Sequence, residues 1–356
     1  MTEHEPSPAA PDLKRRVLHW RTLASFLVAA GLVALAIWRL EIDPVAVWAY
    51  IRRARLPLFG LGFLAFYATF PLRAWRWRLL LRNAADSGEP PLPLPPLLGL
   101  TEIIYLSWFA NCLVPAKLGD LYRGYLLHRT SRASFSRTVG TIFAERVLDM
   151  VFLFLLMLMA SLALFGPRIP QTASATDRAV ARSVYGGGIG LAVLAIGLLL
   201  GMRFFGHALR RYLPKRFHGL YDRFLEGTLL SFRRRSFPLV LAQTLLVWIL
   251  ESARFYLVFE SILVTLPMRI SVGTPVVVFV ALASSLLTTL PITPAGLGAV
   301  EAMFGWILPL FLPGTLLAAG MEPQSLAFAV GLLDRVINYW SILFLGLIVF
   351  GFSRKR

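Results

Sequence analysis

The chain has 356 residues, 57% of them hydrophobic, and its 36 Lys and Arg against 19 Asp and Glu give a net charge of +17. A mean hydropathy of +0.68 and several apolar runs near the roughly 20 residues that a bilayer crossing needs exclude a soluble globular domain. The single cysteine, Cys112, excludes an internal disulfide framework, and the five histidines show no metal-ligand spacing, so no metal and no other cofactor is expected.

Residues 1–20 form a basic tail whose first part is polar and proline-rich and reads as disordered. Lys14, Arg15, Arg16 and Arg21 precede a first span at about 22–40, which reads as a retained anchor because no small-residue cleavage site follows. A second span at 56–80 ends in the arginine-rich Leu72–Arg82. The proline-rich Glu89–Pro96 leads into Leu97–Val114, which is apolar but short and carries Glu102 and Asn111. Pro115 ends it, and a basic amphipathic stretch, Lys117–Arg137, follows. Further spans are expected at 138–165, 184–202, 237–262 and 326–350, with a basic tail over 351–356.

Between the last two spans lies LPITPAGLGAVEAMF, Leu290–Phe304, flanked by apolar runs. Broken backbone at membrane depth is tolerated only where protein buries it or a wet cavity receives it. The reading is a re-entrant hairpin here and a second one at Leu97–Pro115. The positive-inside rule then places 25 of the 36 basic residues in cytoplasmic segments and eight outside, with both termini cytoplasmic. Full crossings at both breaks would instead put the basic 117–137 and 203–235 stretches outside.

The chain also repeats itself. Pro115-Ala-Lys-Leu-Gly119 recurs 179 positions later as Pro294-Ala-Gly-Leu-Gly298, and Glu145-Arg-Val-Leu-Asp149 recurs 189 positions later as Asp334-Arg-Val-Ile-Asn338. Ten extra residues fit the Leu312–Pro323 loop. Arg73 and Arg254 precede their prolines by 42 and 40 positions. Repeat A spans about 56–165 and repeat B about 237–350, with a linker span and a basic cytoplasmic segment over 184–236 between them, all in one transmembrane domain, 21–350. The charge-derived topologies of the two repeats are opposite, as in many secondary transporters. The expected architecture is all-α and polytopic, with six full spans and two opposed re-entrant hairpins in an inverted repeat.

Charged groups inside a bilayer are costly and mark function. Glu145, Arg146 and Asp149 share one helical face, and Asp334, Arg335 and Asn338 repeat that geometry. They either lock helices together or hold Arg146 and Arg335 towards an anion. Half-helices starting after Pro115 and Pro294 would aim free N–H groups at the same place, with Gly119, Gly296 and Gly298 allowing close approach. Glu301 either compensates the helix dipole or serves function, by coupling protons or contacting a head-group amine. Lys117 stands where the second repeat has Gly296, and is either a phosphate-binding charge or a snorkelling lysine. Asp120 and Arg123 either pair locally or line the inner mouth. Arg73, Arg76 and Arg78 either line a mouth too or, as interfacial arginines more often do, act as plain topology signals. The nine basic residues of 203–235 are expected to lie on anionic lipid; nucleic acid is a poor competitor.

No GxSxG, HExxH, P-loop or strand-linked GxGxxG occurs, no acidic pair of the magnesium-dependent prenyltransferase kind is present, and no soluble segment is large enough for an active site. An enzyme is not expected. The pattern Asn111-x3-Pro115-x3-Gly119-Asp120-x2-Arg123, then Glu145-Arg146-x2-Asp149, then Pro294-x-Gly296-x-Gly298-x2-Glu301 resembles the lysylphosphatidylglycerol synthase transmembrane region family of flippase-like domains, the uncharacterised family 0104 type. The resemblance covers about 20–350 and implies the stand-alone form, without an aminoacyl-transferase domain. Related domains accompany glycosyltransferases acting on polyprenyl lipids. The expectation is a multi-pass protein of the bacterial inner membrane that moves an anionic phospholipid or lipid-linked intermediate between leaflets. Its phosphate would meet the half-helix ends and Arg146 or Arg335, with Arg254 nearby. The alternatives are a scaffold or accessory partner of a lipid biosynthetic enzyme, and an intramembrane transferase.

Overall fold

A computed structural model describes residues 19–85, 93–114, 117–166, part of 185–206, 208, 210–232, 235–268, 270, 272–289, 293–312 and 315–353. The structure is all-α and no strand occurs among these residues. Pro115, residues 1–18 and 354–356 of the two basic tails, and residues 86–92, which include the start of the proline-rich linker, lie outside them. The span expected at 184–202 is described only in part, and its described residues from 185 to 206 are helical.

Helix α1 is Trp20–Arg39 and α2 is the short Pro44–Arg53, capped by Asp43, whose carboxylate accepts from Val45 N at 2.9 Å and Ala46 N at 3.2 Å. Helix α3, Leu56–Ala84, is followed by the apolar α4, Leu97–Leu113, and by α5, Leu118–Ser131. Then come α6, Phe135–Phe165; α7, His218–Leu230; α8, Phe237–Leu263; and α9, Thr274–Thr289. A 3-10 turn, Pro294–Gly296, leads into α10, Ala299–Ile307. The expected Leu312–Pro323 loop contains a single turn, α11, Thr315–Ala318. Helices α12, Pro323–Arg335, and α13, Ser341–Phe352, are joined by a π turn over Val336–Trp340.

Among the described residues, five helical stretches are long and apolar enough to cross a membrane: 22–39, 56–84, 135–164, 294–311 and 323–352. Four were expected as spans. The fifth, Pro294–Phe311, was read as half of a hairpin, yet its 18 residues equal α1's stretch in length. Helix α8 is 27 residues long but carries Glu251, Arg254 and Glu260. Its first two charges are buried, so they cost helix hydropathy without facing lipid.

The packing partners recur in equivalent sets. Helix α4 folds against α5, and α9 against α10; α5 then packs on α6, and α10 on α12. Across the middle, α3 lies along α8, while α6 packs on α9 and α13 on α4. Gly62 approaches the backbone of Arg254, whereas Arg76 reaches Thr244, so α3 and α8 run antiparallel. Large apolar side chains such as Leu27, Leu64, Met159, Trp306 and Phe344 point outward. Arginines and carboxylates are buried inside, the distribution a membrane-embedded bundle requires.

The α4–α5 hairpin closes at Gly119. A Cβ there would lie 2.0 Å from the Ser107 carbonyl oxygen, while its N–H donates to Asn111 Oδ1 at 2.9 Å. Asn111 therefore ties the hairpin shut. Gly119→Ala is expected to destabilise the purified protein by about 1–3 kcal/mol or more, read as a lowered thermal unfolding midpoint in detergent. Gly60→Ala, where nothing lies within 4 Å of the added carbon, is the matched control. It should be neutral or stabilising by up to about 1 kcal/mol from helix propensity.

Candidate functional site

The charged residues meet in the middle of the bundle as two related networks. In the first half, Arg76 of α3 has no solvent exposure. Its guanidinium donates to both oxygens of Asp149, at 2.6 and 3.1 Å, to Glu145 at 2.8 Å and to Thr244 at 2.9 Å. This forked arrangement is one that only arginine offers. Arg123 of α5 completes the cluster, 2.9 Å from Glu145 and stacked 3.8 Å from the centre of the Trp77 ring. In the second half Arg254 of α8 pairs with Asp334, which also accepts from Asn338 at 2.7 Å. Glu251 joins the halves, accepting from Arg73 at 2.9 Å and from Arg254 at 3.3 Å.

A second kind of pair occurs once in each half. Arg146 donates twice to Asp120, at 2.9 and 2.7 Å, and Arg335 donates to Glu301 at 2.8 Å. Asp120 and Glu301 are each the third residue of a half-helix, α5 or α10. Glu301 also accepts from Gly298 N at 2.6 Å, so this N-terminus is already capped from within the chain. Arg335 reaches further, donating to the Ala295 carbonyl at 3.0 Å. Ala295, Gly296 and Gly298 have φ of 47°, 71° and 85°, a left-handed run that places this carbonyl and N–H around the turn. The two pairs differ in exposure. Arg146 and Asp120 are 28% and 16% exposed, Arg335 and Glu301 only 1% and 4%.

Between the networks lies a cavity of about 100 Å³, room for about three waters. Arg73, Lys117, Arg146, Arg254 and Arg335 line it, against two carboxylates, Asp149 and Glu251. Asn111, Asn338, Ala295 and the hydroxyls of Ser284, Ser285, Thr288 and Thr289 complete the polar wall, with Trp108 and Trp248 on the apolar side. Among the described residues, no group of three or more His, Cys, Asp or Glu is arranged to hold a metal ion.

Most of the sequence-derived candidates come together here, with different partners from those expected. Glu145 and Asp149 do not hold Arg146; they bind Arg76 and Arg123, and Arg146 is held by Asp120 of another helix. Asp120 and Arg123 do not pair with each other. Arg73 and Arg76, read as topology signals, are buried members of the networks. Their three-residue spacing, one helical turn apart, is the signal that would have marked them. Pro294 is buried in its turn, and Gly296 packs against the backbone of Thr288.

A family model described as the lysylphosphatidylglycerol synthase TM region matches residues 22–346. A UPF0104 membrane protein of Methanocaldococcus jannaschii is 35% identical over 249 residues, 68% of this chain and 93% of that one. A UPF0104 membrane protein of Methanothermobacter thermautotrophicus is 26% identical, with 90% of this chain and 93% of that one covered. The glycosyltransferase AglD of Haloferax volcanii is 24% identical over 362 residues, 92% of this chain but only 53% of AglD. These relatives are archaeal.

Breaking a buried ion pair from one side strands a charge, at about 3–5 kcal/mol. Arg335→Ala is expected to cost that much in thermal or denaturant unfolding of the purified protein, because Glu301 is left enclosed. Arg146→Ala should cost distinctly less, since water already reaches Asp120. Equal losses in the two variants would contradict this ranking.

Proposed function

The chain belongs to the lysylphosphatidylglycerol synthase TM region family, and on that footing we propose that it moves an anionic lipid, a phospholipid or a lipid-linked intermediate, between the leaflets of a cell membrane. The observation that carries this reading is the cavity where the two repeats meet, lined by five cations and two carboxylates. Its volume suits a phosphate-sized group and not a whole lipid. The acyl chains stay in the bilayer and only the head group passes through the protein. The α10 end is already capped by Glu301 and the first turn of α5 carries the negative Asp120, so the arginines and Lys117, rather than helix dipoles, attract the phosphate.

The repeated arrangement supports alternating access. Two antiparallel halves, each a span, a hairpin and a span, enclose one central site, as inverted-repeat transporters do. The Asp120–Arg146 pair sits on the wetter side and the Glu301–Arg335 pair on the sealed side. With the basic segments cytoplasmic, the wetter side is the cytoplasmic one. The basic residues around α7 then lie against anionic head groups and gather cargo there. Movement runs downhill or is coupled to an ion, and Glu301, Glu145 and Asp334 are the carboxylates available to carry that coupling.

The likeness to AglD favours a second reading. A region like this one makes up about half of a protein named as a glycosyltransferase, so a partner or scaffold of a lipid-modifying enzyme is the alternative. Scrambling of fluorescent phospholipids by protein reconstituted in liposomes separates the two. The wild type is expected to move anionic lipid, and Arg335→Ala and Glu301→Gln to slow it at least tenfold while retaining the folded elution profile. A wild type that moves no anionic lipid with or without an ion gradient would defeat transport, and an enzyme co-purifying with it would support the scaffold.

A further inference from the structure

The ion pairs of the two networks balance: six arginines face six carboxylates. Lys117 lines the same cavity, and no carboxylate is paired with it among the described residues. The central region therefore holds one uncompensated positive charge. Lys117 is half-buried, and a charge partly withdrawn from water is costly unless a counter-charge reaches it.

The backbone at Lys117 adds an independent observation. Its φ is 56° and its ψ 29°, the left-handed region. The corresponding residue of the second repeat is Gly296, with φ of 71°. A non-glycine residue pays about 1–2 kcal/mol to stand there. Glycine would serve the turn better, as it does in the sister repeat. The side chain is thus kept at a position where the fold prefers none, and such strain points to use of the side chain.

We propose that Lys117 selects cargo by charge, fitting the cavity to a head group with one negative charge, a phosphodiester, over a phosphomonoester or diphosphate. The inference rests on the reading of the cavity as an anion site. One negative charge neutralises the centre. A phosphomonoester brings about 1.5–2 charges at neutral pH, and the excess would be enclosed among carboxylates already committed to arginines. Asp149 and Glu251, the two acids on the wall, would repel it.

Lys117→Gly is a gentle variant, because it installs the residue the sister turn already uses. Without lipid it is expected to unfold at the same temperature as wild type or higher. The test is the thermal shift of purified protein in detergent given short-chain phosphatidylglycerol, phosphatidic acid or phosphatidylcholine. Wild type should be stabilised most by phosphatidylglycerol. Lys117→Gly should lose at least tenfold in apparent affinity for it, falling to the phosphatidylcholine level, and Lys117→Arg should restore it. A Lys117→Gly protein that keeps the full phosphatidylglycerol shift overturns the proposal. So does a wild type stabilised as strongly by phosphatidic acid or by phosphatidylcholine. The readout is binding alone: a protein that shows the predicted shifts but moves no lipid in liposomes sinks transport and leaves the charge selection standing.

Discussion

Five buried arginines and a sixth, the partly exposed Arg146, in the middle of a membrane protein impose the condition on which everything else here depends. Each guanidinium needs a carboxylate, because neither lipid nor the apolar core can solvate it. The chain meets that need mostly across helices, Arg254 and Glu251 on α8 being the pair within one. Arg76 joins α3 to α6, Arg123 and Arg146 join α5 to α6, Arg254 joins α8 to α12, and Arg335 joins α12 to α10. Arg73 and Glu251 then fasten one half to the other. The same contacts that hold the bundle together also line the space at its centre.

That arrangement explains why polar residues cost this fold little hydrophobic driving force. The outward faces of α1, α3, α6 and α13 stay apolar, with Leu27, Leu64, Met159 and Phe344 exposed. Most of the network charges are buried away from those faces. The π turn directly after Arg335 shifts the register between α12 and α13. It lets Arg335 and Asn338 reach the cavity while Phe344 and Ile348 return to the outer face.

Much of this was legible in the sequence. Hydropathy located most of the spans, and the recurrence of Glu145–Asp149 as Asp334–Asn338 fell on two helices that both carry network residues, α6 and α12 into its π turn. The pairing was not legible. Spacing within one helix shows which residues share a face, and it led to Glu145 and Asp149 as partners of Arg146. The true partner, Asp120, lies on another helix, and no local rule reports the distance between helices. A longer look at the repeat would have helped, since Asp120 and Glu301 are 181 positions apart, close to the offsets already in hand. Arg73 and Arg76 were misplaced for a different reason. Arginines at the end of an apolar run mark a membrane boundary when the helix stops there, but α3 continues to Ala84 and carries them into the interior.

Helix α1 stands outside the repeat, yet it touches one repeat much more closely than the other. A Cβ on Gly298 would lie 2.5 Å from the Ala29 carbonyl oxygen, whereas Gly119, its counterpart, packs only on its own hairpin. Two halves related by an exact two-fold axis would have two arrangements of equal energy, interchanged by that axis. An element that grips one turn and not the other lifts that degeneracy. Helix α1 therefore singles out one of the two glycine turns, through the close contact between Ala29 and Gly298.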